Sequence, residues 1–192
     1  METALSLMLG LGLAAAVGFR IFVPFLVVSL AAYTGHLDLA DGQAWIGTLP
    51  AAIMFAAATL AEIAAYHLPW FDHMLDALSG PAAVVCGAVL MASAVVDMSP
   101  LVKWPVAIIA GGGTAGLIRG ASAGLRVGST TVTGGLGNPA LTAVETGGSA
   151  TLAVLALLVP VAALVVTVLL LVLIVRRTAR LGRRVFARRR SG

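Results

Sequence analysis

Apart from Arg20, no charged side chain interrupts residues 3 to 32, and none interrupts residues 150 to 175. At about 1.5 Å of helix rise per residue, each run outreaches the ~30 Å hydrocarbon core of a bilayer. Backbone inside such a core must satisfy its own hydrogen bonds, which a helix does within one segment. The remaining composition agrees. Of 192 residues, 60% are hydrophobic and 10% charged, with a mean hydropathy of +1.05. No soluble domain of this size could cover so much apolar surface. The sequence therefore predicts an all-α, polytopic integral membrane bundle. It should have about five spans, an interfacial amphipathic helix and a short broken or re-entrant helix.

The spans are expected at about 3–32, 47–68, 81–97, 105–122 and 150–175. Gly18 and Pro24 flank Arg20, so the first should kink or break there. Residues 33 to 46 carry Asp38, Asp41, Gly35 and Gly42 and read as a polar loop. Between Trp70 and Ser79, the residues Trp70, Phe71, Met74, Leu75 and Leu78 fall on one helical face. Asp72, His73, Asp76 and Ser79 fall on the other. That segment is too short to span and should lie in the interface. Residues 128 to 138 are rich in Gly, Ser and Thr and read as irregular backbone. Asn138 as cap and Pro139 at the first position should start a half-helix over 139–147, stopped by Gly147 and Gly148. Its N-terminus could bind an anionic group or border a cavity.

Eight arginines lie between Arg176 and Arg190, so the rest of the chain is acidic. The positive-inside rule places this tail, 176–192, in the cytoplasm, and anionic lipid is its expected partner rather than nucleic acid. The membrane domain is then 1–175. The N-terminus lacks a basic n-region, so no cleavable signal peptide is read. Localisation in a bacterial inner membrane follows as an expectation.

Glycine recurs at every fourth position from Gly112 through Gly116, Gly120 and Gly124 to Gly128. On a helix this makes a strip without side chains, where another backbone can lie close. The strip can serve packing within the chain or a homo-oligomer contact. Arg119 and Arg126 edge it. Charges within spans are costly and mark either function or pairing. Arg20, Glu62, Arg119, Arg126 and Glu145, with Asn138, are the candidates for a polar path or a ligand site. Arg20 needs an acid from another helix, either Glu145 or Glu62. A weak internal likeness relates Gly18-Phe19-Arg20 to Leu117-Ile118-Arg119, each followed by a proline-started helix with a glutamate.

Other chemistries find little support. His67, Asp72, His73 and Asp76 read as a solvated face rather than a metal site. A lone Cys86 can form neither an intramolecular disulfide nor a thiolate cluster. Gly111-Gly112-Gly113-Thr114 lacks the Gly-Lys-Ser/Thr of a phosphate loop, and there is no His-Glu-x-x-His. Neither an enzyme nor a cofactor is expected.

The run Gly18-Phe19-Arg20-Ile21-Phe22-Val23-Pro24 resembles the Gly-Leu-Arg-Ala-Tyr-Leu-Pro opening of a bacterial membrane family called domain of unknown function 4126. The resemblance continues at Leu49-Pro50, at Glu62 and over Leu68-Pro69-Trp70-Phe71-Asp72 to Asp76. It includes Ala123-Gly124-x-Arg126 and the stretch from Asn138-Pro139 to Glu145, covering most of residues 10 to 150. The chain departs from the family at Gly80-Pro81, where Arg-Pro is usual, at Ser122 for lysine and at Thr146 for aspartate. The resemblance implies a fold and no specific activity. From the residues, the expected function is transport or conduction of a small solute or ion along intramembrane Arg and Glu. The alternative is a non-transporting scaffold or assembly factor. A transporter needs water to reach the charges; a scaffold should pair them tightly and expose the glycine strip.

Overall fold

The structure, a computed structural model, describes residues 2–40, 42–65 and 69–189, with side chains undescribed at 69–77 and 181–189. Every element among the described residues is helical. The helices are α1 (Glu2–Phe19), α2 (Phe22–Tyr33), α3 (Leu49–Ala65), α4 (Pro69–Ala94), α5 (Pro100–Val106), α6 (Gly113–Thr133), α7 (Asn138–Leu158) and α8 (Pro160–Arg189). A 3-10 turn, Ala44–Gly47, precedes α3, and a π-helical turn, Ala107–Gly112, joins α5 to α6. Four described stretches are long and apolar enough to cross a membrane: Glu2–Phe19, Pro100–Thr133, Asn138–Leu158 and Pro160–Arg180. Phe22–Tyr33, Leu49–Ala65 and Leu78–Ala94 are shorter apolar helices.

α1 is the hub, packing on α4, α6, α7 and α8. Its Leu13-Ala14-Ala15-Ala16-Val17 run is wholly buried, as expected of a helix apolar all round. Small residues let four neighbours approach. A Cβ at Gly12 would stand 2.9 Å from the Cβ atoms of both Ala156 and Ala163, and one at Gly18 would stand 2.6 Å from Ile118 Cβ. Backbones also approach closely between α4 and the π turn, where a Cβ at Gly111 would meet the Gly87 carbonyl oxygen at 2.7 Å. Gly111→Ala is therefore expected to cost about 1–3 kcal/mol, since backbone cannot yield as a side chain can. Gly113→Ala, exposed and with no described atom within 4 Å, should instead gain about 0.5–1 kcal/mol of helix propensity. Thermal unfolding in detergent checks both; equal melting temperatures would contradict the α4 contact.

Several expected boundaries move. The stretch 3–32 divides between Phe19 and Phe22. The expected interfacial helix 70–79 and span 81–97 are one helix, α4, with Pro81 inside it. An interior proline loses one hydrogen bond and presses on the carbonyl four residues before it, and α4 continues through Pro81 despite that cost. The facing of Trp70 to Ala77 lies outside the described side chains. The expected irregular stretch 128–138 is helical as far as Thr133, where the Thr131 and Thr133 hydroxyls donate back to the carbonyls of Gly128 and Ser129. The connection to α7 is a tight turn, with Gly134 and Gly135 at φ of 62° and 91°. The half-helix 139–147 is the first part of α7, which continues through Gly147 and Gly148 to Leu158. In apolar surroundings, backbone there finds no better partner than its own helix. The span 150–175 is cut at Val159 before Pro160, and the basic tail continues α8 to Arg189.

Candidate functional site

The break between α1 and α2 falls where Pro24 favours one. A helix running through Pro24 would press the proline ring on the carbonyl of residue 20 and lack that hydrogen bond. The chain interrupts itself there, and Pro24 falls in the first turn of α2, where no donor is needed. An interruption leaves carbonyls open at one end and N–H groups at the other. Side chains from three other helices supply the partners. Glu62 of α3 accepts the N–H groups of Ile21 and Phe22, one on each carboxylate oxygen, both at 3.0 Å. Arg119 of α6 donates to the Phe19 carbonyl at 3.4 Å. The Ser149 hydroxyl of α7 donates to the Ala16 carbonyl at 2.8 Å. A carboxylate thus sits at the positive end of α2 and a guanidinium at the negative end of α1, each favoured by the helix dipole.

Beside the break, Glu145 of α7 joins two arginines. Arg20 lies 3.6 Å from its Oε2, and Arg126 of α6 bonds to the same atom. Arg126 also donates to the Thr142 hydroxyl at 3.3 Å. Arg20, Glu62, Arg119, Arg126 and Glu145 are all 7% exposed or less. On α6, Arg119, Ser122 and Arg126 share a face by their spacing of three and four; on α7, Thr142, Glu145 and Ser149 do the same. All six are buried. Toward the α6–α7 turn the polar line continues at the surface. Asn138 donates to the Thr130 hydroxyl at 3.2 Å, and the Gly137 N–H to Thr133 Oγ1 at 3.0 Å. On the far side of the break, the buried Thr59 hydroxyl, one turn before Glu62, has no hydrogen-bond partner among the described residues. Polar groups therefore recur between the exposed turn and the centre of the bundle, a line we call the seam.

The structure brings all five charged candidates to this seam and resolves the two choices for Arg20: Glu145 pairs with it, while Glu62 caps α2. Asn138 stands at the outer end, but Gly137, which has no side chain to cap with, occupies the cap position of α7. Thr142, Ser149 and Ser122 were missed, although their spacing from Glu145 and from the two arginines is a readable signal.

The glycine strip packs at its first two glycines. Cβ atoms at Gly112 and Gly116 would meet Val84 of α4 at 2.9 Å. Gly120, Gly124 and Gly128 are exposed, with no described atom within 4 Å of a Cβ. Four residues turn a helix by about 400°, so the strip drifts roughly 40° per step and leaves the α4 contact. Its outer end borders an open apolar groove of about 490 Å³ whose lining includes Gly124, Leu125, Gly128, Ala140, Leu141 and Val144. A second groove, of about 430 Å³, follows α7 from Ala150 to Leu158. Neither is lined by the buried charges.

His67 lies outside the described residues, as do the side chains of Asp72, His73 and Asp76. Among described residues, no three of His, Cys, Asp and Glu gather as metal ligands would. Gly120-Ala121-Ser122-Ala123-Gly124 has the letters of a hydrolase nucleophile elbow. That motif needs a strand-to-helix turn, and Ser122 is buried in the middle of α6.

A family model described as "Domain of unknown function (DUF4126)" matches residues 7–180. No curated protein and no solved structure matches the chain.

Proposed function

The chain belongs to the DUF4126 family, and we propose that it transports or conducts a small solute or ion, using the seam between α6 and α7 as its path. The observation that carries this reading is the recurrence of polar groups along α6 and α7, with Asn138 bonded to Thr130 at the turn and, deeper, Thr142, Arg126, Glu145 and Arg20 gathered beside the interrupted backbone that Glu62 caps at Ile21. Discontinuous helices whose free ends face the substrate or ion are a common way to build a transport site. In this conformation the path is closed, and opening requires α6 and α7 to separate at the Arg126–Glu145 pair. Reconstituted vesicles test the proposal against a panel of small ions and neutral solutes. At least one should move faster than in protein-free vesicles, and Thr142→Val should slow it without loss of folded protein. No movement of any panel member would overturn it.

A second reading has its own observation. The buried charges pair with each other or cap helix ends, and Gly124 and Gly128 face outward. These are the features expected of a non-transporting scaffold, with the open groove available to a partner helix or a second copy.

The chain's place in the bilayer is multi-pass, with the arginine end of α8 at the cytoplasmic face of an inner membrane. Arg176, Arg177 and Arg180 are exposed directly after the apolar Val172–Val175. Each should add roughly 1 kcal/mol of attraction to anionic lipid. Native mass spectrometry should show anionic lipid retained over zwitterionic lipid, and the preference should weaken when all three become Gln. Equal retention of both lipids would contradict it.

A further inference from the structure

We infer that Arg20 and Arg126 form an anion site whose resident occupant is the Glu145 carboxylate, and that it accepts a small oxyanion of about formate size. The inference deepens the path proposed above and rests on it for the ligand's route of entry. Two guanidiniums from different helices converge on one atom, Glu145 Oε2. Arg126 bonds to it directly, whereas Arg20 stands 3.6 Å from the same oxygen, beyond hydrogen-bond range of it. A carboxylate not tied to α7 could sit between the two and accept from both, the arrangement that guanidiniums favour. The Thr142 hydroxyl already lies within reach of Arg126 and marks the outer side of the site. A cation entering from the α6–α7 turn would meet Arg126 before any acid on the seam, so the charge order selects anions. The size limit follows from the occupant: when Glu145 swings aside, the space released is that of one carboxylate group.

Removing the resident carboxylate should let a free one replace it. The full-length Glu145→Ala protein in detergent should melt below wild type and be restabilised saturably by formate. The rise should be roughly 5–10 °C at about a hundredfold excess over Kd. Gluconate at equal ionic strength should give little rise, and Arg126→Gln combined with Glu145→Ala should abolish the formate effect. Glu145→Gln keeps the side-chain volume and serves if the alanine variant does not fold. Equal effects of formate and gluconate, or a formate effect surviving the double substitution, would overturn the inference. So would failure of both single variants to fold even when made and purified in formate. Vesicle flux separates this outcome from failure of the path. Formate stabilisation without any solute movement removes the path and leaves the anion site. Cation flux with no formate effect removes the anion site and leaves the path.

Discussion

Glu145→Ala, measured without added anion, is expected to destabilise the protein by about 3–5 kcal/mol, the range for stranding buried charges by removing their partner. Two arginines meet at this carboxylate, and both are essentially shielded from solvent. An arginine does not escape by losing its proton, so the strain must appear as unfolding, as rearrangement or as an incoming counter-ion. Adding Arg20→Met should recover part of the loss, because one of the stranded cations is gone and its methylenes are replaced. Urea unfolding in mild detergent measures both. A Glu145→Ala protein as stable as wild type would mean that Arg20 and Arg126 are neutralised without Glu145.

The second large effect is expected at Glu62. Its two oxygens hold two N–H groups at the start of α2. Glu62→Ala leaves both donors buried without an acceptor, a loss of about 2–5 kcal/mol in all. Glu62→Gln keeps one carbonyl oxygen in place and should cost roughly half as much, since the amide nitrogen cannot accept. The loss should be local as well as global. Hydrogen exchange at Ile21 and Phe22 should speed up well before that at Leu13 to Val17, which remain enclosed by four helices. Unchanged exchange at Ile21 and Phe22 in Glu62→Ala would remove Glu62 from its capping role.

What the sequence discloses here follows from how local the causes are. The break near Arg20 is visible because Pro24 acts on the carbonyl four residues before it. Arg20's need for an acid is visible because a charge in a long apolar run has few ways out. The identity of Glu62 as a cap is not visible. It depends on α3 docking against α2, which brings Glu62 to Phe22, forty positions earlier in the chain. The continuation of α7 through Gly147 and Gly148 is hidden for a related reason. Glycine's helix cost is about 1 kcal/mol per residue in water, but apolar surroundings make a broken backbone dearer still. The glycine strip misleads in a third way. Its regular spacing suggests one face, whereas the drift of the helix divides it between α4 and the outside. The serine and threonine positions along the seam were legible once Glu145 was taken as a centre, because Thr142 and Ser149 lie one turn to either side of it.

The path through the seam is tested most directly by whether water can reach its inner end. Cysteine is placed singly at Ser129, Thr142 and Ser149 in a Cys86→Ala background, and the intact protein in vesicles is exposed to a small, membrane-impermeant thiol reagent. If the seam opens to solvent, all three positions react, fastest at Ser129 near the turn and slowest at Ser149 beside the break. The Ser149 position should also react more slowly from the opposite face of the membrane. Reaction at Ser129 with none at Thr142 or Ser149, over times long enough to exhaust the reagent at an exposed site, would contradict the path and leave the buried charges as a clamp.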